Sequence, residues 1–153
     1  MEKSDPIISR ISTTDGEELS VAKGKYRILI GGEQTNGSYA VIEMRVPPNG
    51  GPAPHSHNQI QESFYVAEGE IEFSTESGKL LAGKGDFINI PLDGGAHAFK
   101  NISDTDALLI CTVIPAGLDS MFKEISKVAS PEDARSIGEK KYGIRFYPPN
   151  FLD

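Results

Sequence analysis

The chain contains three histidines, and two of them stand together at His55-Ser56-His57. In an extended segment, residues i and i+2 project from one face, so this pair aims two imidazoles at a single point. That is a spacing suited to holding a metal ion. Glu62 follows His57 by an odd step, which points it away from the pair unless the chain bends. The polar stretch Asn58-Gln59-Ile60-Gln61 predicts such a bend. With Glu62 turned inward, Phe64 and Val66 share its face, while Ser63 and Tyr65 face outward. His97 comes after the turn Pro91-Leu92-Asp93-Gly94-Gly95 and opens another strand, from which it reaches the same centre if the strands close into a barrel. Each residue has an ordinary alternative. A lone histidine is most often a hydrogen-bonded core or surface group, and Glu62 alone would be a solvated carboxylate. Phe64 and Phe99 keep step with Glu62 and His97 and would flank a bound ligand, with plain core packing as the alternative. Three neutral imidazoles and one carboxylate suit a divalent transition metal, with Fe, Mn, Ni, Co, Cu and Zn all compatible. Four such ligands leave up to two positions of an octahedral shell for substrate, water or dioxygen.

Such a centre needs strands to hold it. Tyr26 to Ile30 and Ser38 to Val46 flank a polar turn at Asn36-Gly37 and predict a hairpin. In its second arm Ala40, Ile42, Met44 and Val46 form one face, and Pro47-Pro48 ends it. Further strands are predicted at Glu62–Ala67, Glu70–Ser74, Lys79–Leu81, Asp86–Ile90, His97–Asn101 and Ala107–Ile114. Their regular spacing between turn residues is the signature of a β-sandwich or barrel. Gly83-Lys84-Gly85 is predicted to be a hairpin turn. The last run is apolar at nearly every position, which predicts cover on both faces and makes Cys111 a packing residue. After Pro115 the period changes. Leu118, Met121, Phe122, Ile125 and Val128 predict an amphipathic helix. Ser130-Pro131-Glu132-Asp133 predicts the start of a second helix, with Gly143 as its stop. The aromatic tail Tyr142 to Phe151 is expected to dock on the domain. The fold class expected is all-β, with helices only after residue 115. It comprises an arm or edge strand at 1–24, a barrel at 25–115, and helices and tail at 116–153 packed on it as one domain.

At this point the sequence resembles the small single-domain cupins, whose fold is a double-stranded β-helix, a jelly-roll barrel with a metal inside. The first cupin motif, G-x5-H-x-H-x4-E-x6-G, is matched at His55, His57, Glu62 and Gly69, with Asn49 in place of the opening glycine and Gly50-Gly51 following it. The second, G-x5-P-x-G-x2-H-x3-N, is matched at Gly85, Pro91, Gly94, His97 and Asn101, with one extra residue before Gly94. The resemblance implies that His55, His57, Glu62 and His97 are the metal ligands. The segment after the barrel and the tail Tyr142 to Pro149 resemble bacterial quercetin-dioxygenase-like cupins. This similarity implies a metal-dependent dioxygenase acting on a small hydroxylated or enolic, flavonol-like substrate, with Glu62 as the catalytic base. Cupins of this size also include isomerases and other non-oxygenase enzymes, and non-catalytic modules that bind a metal or small ligand.

Composition narrows the partners. Fifteen Lys+Arg against 22 Asp+Glu give a net charge of −7, so no basic face is expected for nucleic acid or anionic membrane. Cys111 is the only cysteine, which excludes an intramolecular disulfide and any Cys-rich metal site. No apolar segment follows Met1 to Pro6, and no run is long enough to span a bilayer, so a cytoplasmic location is expected. The expected partners are a small-molecule ligand and a second copy of the chain, since small barrels pair through sheet edges.

Overall fold

The computed structural model describes residues 6–153. The start of the expected arm, residues 1–5, lies outside the described residues. Most of the chain forms two antiparallel sheets. The first contains β1 (Leu19–Val21), β2 (Gly24–Ile30), β3 (Ala40–Val46), β5 (Gln61–Glu68), β8 (Phe87–Ile90) and β10 (Ala107–Ile114), in the order β1-β2-β3-β10-β5-β8. The second contains β4 (His55–Ser56), β6 (Glu70–Thr75), β7 (Gly78–Gly83), β9 (His97–Lys100) and β11 (Arg145–Phe146), in the order β11-β4-β9-β6-β7. Alternation along the strands places Ile42, Met44, Phe64, Val66, Leu109, Cys111 and Val113 of one sheet against Ile71, Phe73 and Phe99 of the other, all of them buried. Side chains of this size each contribute on the order of 1.5–3 kcal/mol when fully buried.

Several expectations are met and several are corrected. The hairpin of β2 and β3 forms with Ile28 opposite Ile42. Its connection contains a helical turn, α1 (Gly32–Thr35), where only a polar turn was expected, so helix is not confined to residues beyond 115. The Gly31 amide donates to Gln34 Oε1 at 2.9 Å, and Asn36 closes the turn with φ +55°. These local polar contacts satisfy the backbone of a turn too short to show periodicity. Strand β10 is buried on one face only. Leu108, Ile110 and Thr112 are half-buried and Ile114 is exposed, because β3 and β5 pair with its edges and only its inner face packs into the core between the sheets. Gly83-Lys84-Gly85 is not a hairpin turn. Strand β7 pairs with β6, whereas β8 pairs with β5 in the other sheet, so this turn carries the chain from sheet to sheet.

The helices α2 (Leu118–Ile125) and α3 (Pro131–Lys141) follow the barrel. Leu118, Met121 and Phe122 are buried on α2, and the Phe122 ring meets Tyr26 edge-on at 5.0 Å. Buried Asp119 ties this helix to the first hairpin, accepting from the Gly32 amide at 2.8 Å. Ser130 caps α3 by accepting from the Asp133 amide at 3.0 Å, as the capping residues predict. Gly143, at φ +67°, turns the chain away after it. No helix among the described residues is long and apolar enough to cross a membrane.

Candidate metal centre

The histidine strands are fixed by their backbone neighbours. His55 on β4 lies directly opposite His97 on β9 and, on its other side, opposite Phe146 on β11. The aromatic tail therefore docks as the outermost strand beside a candidate ligand. The Tyr147 amide donates to the Pro54 carbonyl at 3.0 Å, and the Tyr147 hydroxyl lies 3.1 Å from Ser56 Oγ. Gly51, at φ +137°, runs so close to β9 that a Cβ there would stand 1.9 Å from the Phe99 carbonyl oxygen. Only glycine permits that approach. The substituted opening position of the first motif is also explained. Asn49 adopts φ +66°, a left-handed conformation that asparagine tolerates better than other side chains. Its amide donates to the Asn101 carbonyl at 2.7 Å, while the Asn101 amide donates to the Gly50 carbonyl at 3.0 Å. The beginning of one motif is thus bonded to the end of the other.

Glu62 comes from the opposite sheet, paired with Val113 and Ile90 at the centre of the barrel. The predicted bend lies between His57 and Ile60, whose amide donates to the His57 carbonyl at 3.2 Å. It corrects the odd step, so Glu62, Phe64 and Val66 face inward and Tyr65 faces out. His55, His57, Glu62 and His97 consequently converge, with one ligand atom from each lying within 4.8 Å of all the others.

The hydrogen bonds fit a cation at the centre. Nδ1 of His55, His57 and His97 lies 2.8, 3.3 and 3.0 Å from the carbonyls of Ala53, Ile60 and Gly95. Each ring donates its Nδ1 proton to a backbone oxygen, which leaves the Nε2 lone pairs directed inward. The inward atoms are close: His57 Nε2 lies 3.1 Å from His97 Nε2 and 3.2 Å from Glu62 Oε1, and His97 Nε2 lies 3.7 Å from Glu62 Oε1. Opposed lone pairs at such distances repel unless a proton or a metal lies between them. Adjacent donors around an ion with bonds of ~2.1 Å stand ~3 Å apart, so the spacing is that of a coordination shell.

The electrostatics agree. Burial pushes His55 down to about 4, with neighbouring His97 adding to the effect, so its imidazole is neutral. Burial also opposes a charge on His57, but the hydrogen bond and charge of Glu62 outweigh it and hold its pKa above the ordinary value. Burial favours protonated Glu62, yet the hydrogen bond from His57 and the proximity of His97 hold it well below the usual carboxylate range. Cys111 does more than pack. Its thiol donates to Glu62 Oε2 at 3.2 Å, and burial followed by the Glu62 charge keeps it protonated.

A cavity of about 500 Å³ opens from this cluster toward the helices. Phe64 and Phe99 line it, and they also pack on each other at 5.5 Å. Sequence reading did not identify Tyr26, Met44 or Ile144, or the cavity-facing side of α2 at Met121 and Phe122, as part of the site. The helical periodicity marked Met121 and Phe122 as a buried face, but nothing local shows that this face covers a cavity. Tyr26 is 3% exposed and lines the cavity. Burial, with Cys111 and Glu62 nearby, raises its pKa and keeps the phenol a donor.

Comparison with known proteins agrees with this architecture. Residues 42–113 match the model of the cupin domain family. Quercetin 2,3-dioxygenase of Bacillus subtilis is 20% identical over 115 residues, which cover 75% of this chain and 34% of that protein. The chain therefore spans about a third of the length of this relative. Among solved structures, KdgF from Halomonas sp. superposes with a TM-score of 0.65 at 18% identity, covering 74% of this chain and 99% of that one. The polyketide cyclase RemF from Streptomyces resistomycificus gives 0.63 at 23% identity, covering 71% and 80%. Residues 42–113 thus match the cupin domain family, and they lie within two antiparallel sheets that enclose a His/His/Glu/His cluster suited to a metal ion.

Proposed function

We propose that the protein is a metal-dependent dioxygenase acting on a small hydroxylated or enolic, flavonol-like substrate, with His55, His57, Glu62 and His97 holding the metal and Glu62 serving as base. The observation that carries this reading is the cavity of about 500 Å³ that ends on the donor cluster. A purely structural ion needs no such space beside it. A divalent transition metal bound there would supply Lewis acidity and, for Fe, Mn, Ni, Co or Cu, a path for electrons to dioxygen.

The chain's own residues have defined tasks. The three carbonyl-bound Nδ1 protons fix the imidazole orientations. Cys111 holds Glu62 Oε2 through its thiol while Oε1 faces His57 and His97, so Oε1 would take the substrate hydroxyl proton once its contact with His57 is released. Glu62 is ionised, but its hydrogen bond from His57 and the nearby His97 hold its proton affinity low, so the base role requires substrate binding to loosen those contacts and bring its pKa toward the working pH. Phe64 and Phe99 flank the substrate ring, and α2 keeps bulk water from the reacting atoms. The low similarity to quercetin 2,3-dioxygenase supports the reaction class.

The test is oxygen uptake by protein reconstituted with each of Fe, Mn, Ni, Co and Cu, offered flavonols, catechols and diketones. Uptake with at least one pairing is expected, and Glu62→Gln should retain metal while losing roughly 10²–10⁴ in rate, as expected on removing a general base. Silence across the panel would favour a binding module or a non-oxygenase enzyme. Uptake that is equally fast in Glu62→Gln would remove the proposed base. The same reading places the enzyme in the cytoplasm as a homodimer. Two copies would pair through the outer face of the first sheet, where Tyr65 and Phe87 are register partners and both are exposed.

A further inference from the structure

The charged groups around the cavity point to a more specific ligand. Its walls are mostly apolar, from Val21, Met44, Phe122, Ile125, Ile144 and Phe146 among others, and its charged lining residues are Glu62, Lys23 and Arg135. In a chain with 22 acidic and 15 basic residues, a random sample of surface would favour carboxylates. The solvent end of this cavity instead presents two cations, both exposed, while Glu62 at the buried end is engaged by His57 and Cys111.

Both cations are placed by specific structure. Lys23 sits at the tip of the β1–β2 hairpin, where Ala22 and Lys23 have φ of +50° and +63°. Two successive positive φ values are the pattern of a turn that ordinarily selects Asn-Gly. The tip is pinned by the Gly51 amide, which donates to the Ala22 carbonyl at 3.1 Å, and Gly51 leads directly to the histidine strand. Strained backbone held in place beside a site is a mark of positioning. Lys23 takes part in no ion pair among the described residues. The Arg135 guanidinium, which also lines the cavity, lies 5.1 Å over the ring of Phe146, the residue opposite His55. Its partner Glu139 is 3.3 Å away, but both side chains are about half exposed (50% and 46%), so the pair is weak and yields readily to a ligand. Exposed Glu132 and Asp133 on the same helix do not line the cavity.

We propose that the cavity takes an amphipathic carboxylic acid, with an aromatic or aliphatic body among the apolar walls and the carboxylate held between Lys23 and Arg135 at the solvent end, away from the metal cluster. This rests on the cavity being the substrate site, and it narrows the substrate to an acid whose reacting hydroxyl or enol lies at the end opposite its charge.

The test is calorimetric titration of the full-length, zinc-loaded protein, where no turnover is expected, with paired probes of equal shape. The pairs are biphenyl, naphthyl and decyl carboxylates and the corresponding carboxamides. Each acid should bind roughly 10-fold more tightly than its amide in at least one pair, and the preference should shrink at high salt. Lys23→Met with Arg135→Met should abolish the preference, acid and amide then binding alike, and Lys23→Arg should retain it. Both positions are exposed, so folding should be preserved, with the circular dichroism spectrum as the check. Equal affinity for acid and amide would overturn the proposal, as would binding of neither. A preference that survives the double variant would overturn it too, since the carboxylate would then sit on the metal. Because binding is read without turnover, rim-dependent binding with no oxygen uptake would sink the dioxygenase reading alone. Oxygen uptake with no charge preference would sink this inference alone.

Discussion

His57 bridges two other members of the centre. Its Nε2 is within 3.2 Å of both His97 Nε2 and Glu62 Oε1, so it joins two groups that a bound metal would share with it. Replacing it leaves Glu62 buried without its principal partner and removes one coordinating nitrogen. We expect His57→Ala to lose stoichiometric metal, with affinity falling by more than the roughly 10–100-fold typical of losing only a supporting hydrogen bond. Elemental analysis after dialysis against a fixed free-metal buffer measures this. Unchanged affinity would mean that the ion, if any, is held elsewhere.

At the scale of elements, the two helices that roof the cavity are joined by a small polar clamp. The Tyr142 hydroxyl donates to Glu124 Oε2 at 2.7 Å, and Lys141 pairs with the other oxygen of the same carboxylate. Burial, with the Glu124 hydrogen bond and charge, raises the Tyr142 phenol to about 12. Lys141 and then Tyr142 hold Glu124 below its ordinary value. A phenol raised on folding stabilises the fold fully below its unfolded pKa of ~10 and loses that contribution as pH rises through the folded value. A carboxylate lowered on folding contributes above its unfolded pKa and loses the contribution as pH falls. The clamp is therefore intact at neutral pH and fails at either extreme. At pH 8, Tyr142→Phe should lower the melting temperature by roughly 2–4 °C, the equivalent of one net hydrogen bond. The difference from wild type should close as pH rises from 10 to 12. A gap that stays constant over that range would show that the phenol's titration has no part in holding the helices.

At the scale of the whole molecule, the outer face of the first sheet is the surface that most resembles an interface. Tyr65 and Phe87 are 47% and 63% exposed as direct register partners, and Leu80 and Leu81 are exposed on β7 at the edge of the second sheet. Exposed aromatic side chains side by side on a sheet favour burial by another surface. Sedimentation velocity should show a dimer at micromolar concentration, and Tyr65→Lys with Phe87→Lys should convert it to monomer without altering the circular dichroism spectrum. A wild type that stays monomeric, or a double variant that stays dimeric, would remove this face from the assembly.

The sequence by itself determined the strand run, the change of period after Pro115 and the positions of the His/His/Glu/His cluster. Alternation, turn residues and the His-x-His spacing are local properties that survive in a linear reading. Even the bend before Glu62 was legible, because an odd step had to be corrected within four polar residues. Tertiary structure decided the remainder. Whether Gly83-Lys84-Gly85 made a hairpin or a crossing depended on which distant strand β8 chose, and pairing across the chain leaves no trace in the turn itself. Cys111 looked like one apolar residue in an apolar run until the opposing register brought Glu62 Oε2 to its thiol. Tyr26, Lys23 and Arg135 carry no motif. They became cavity residues because the β1–β2 hairpin, α2 and α3 close over the barrel mouth, a juxtaposition set by packing between segments more than a hundred residues apart in sequence.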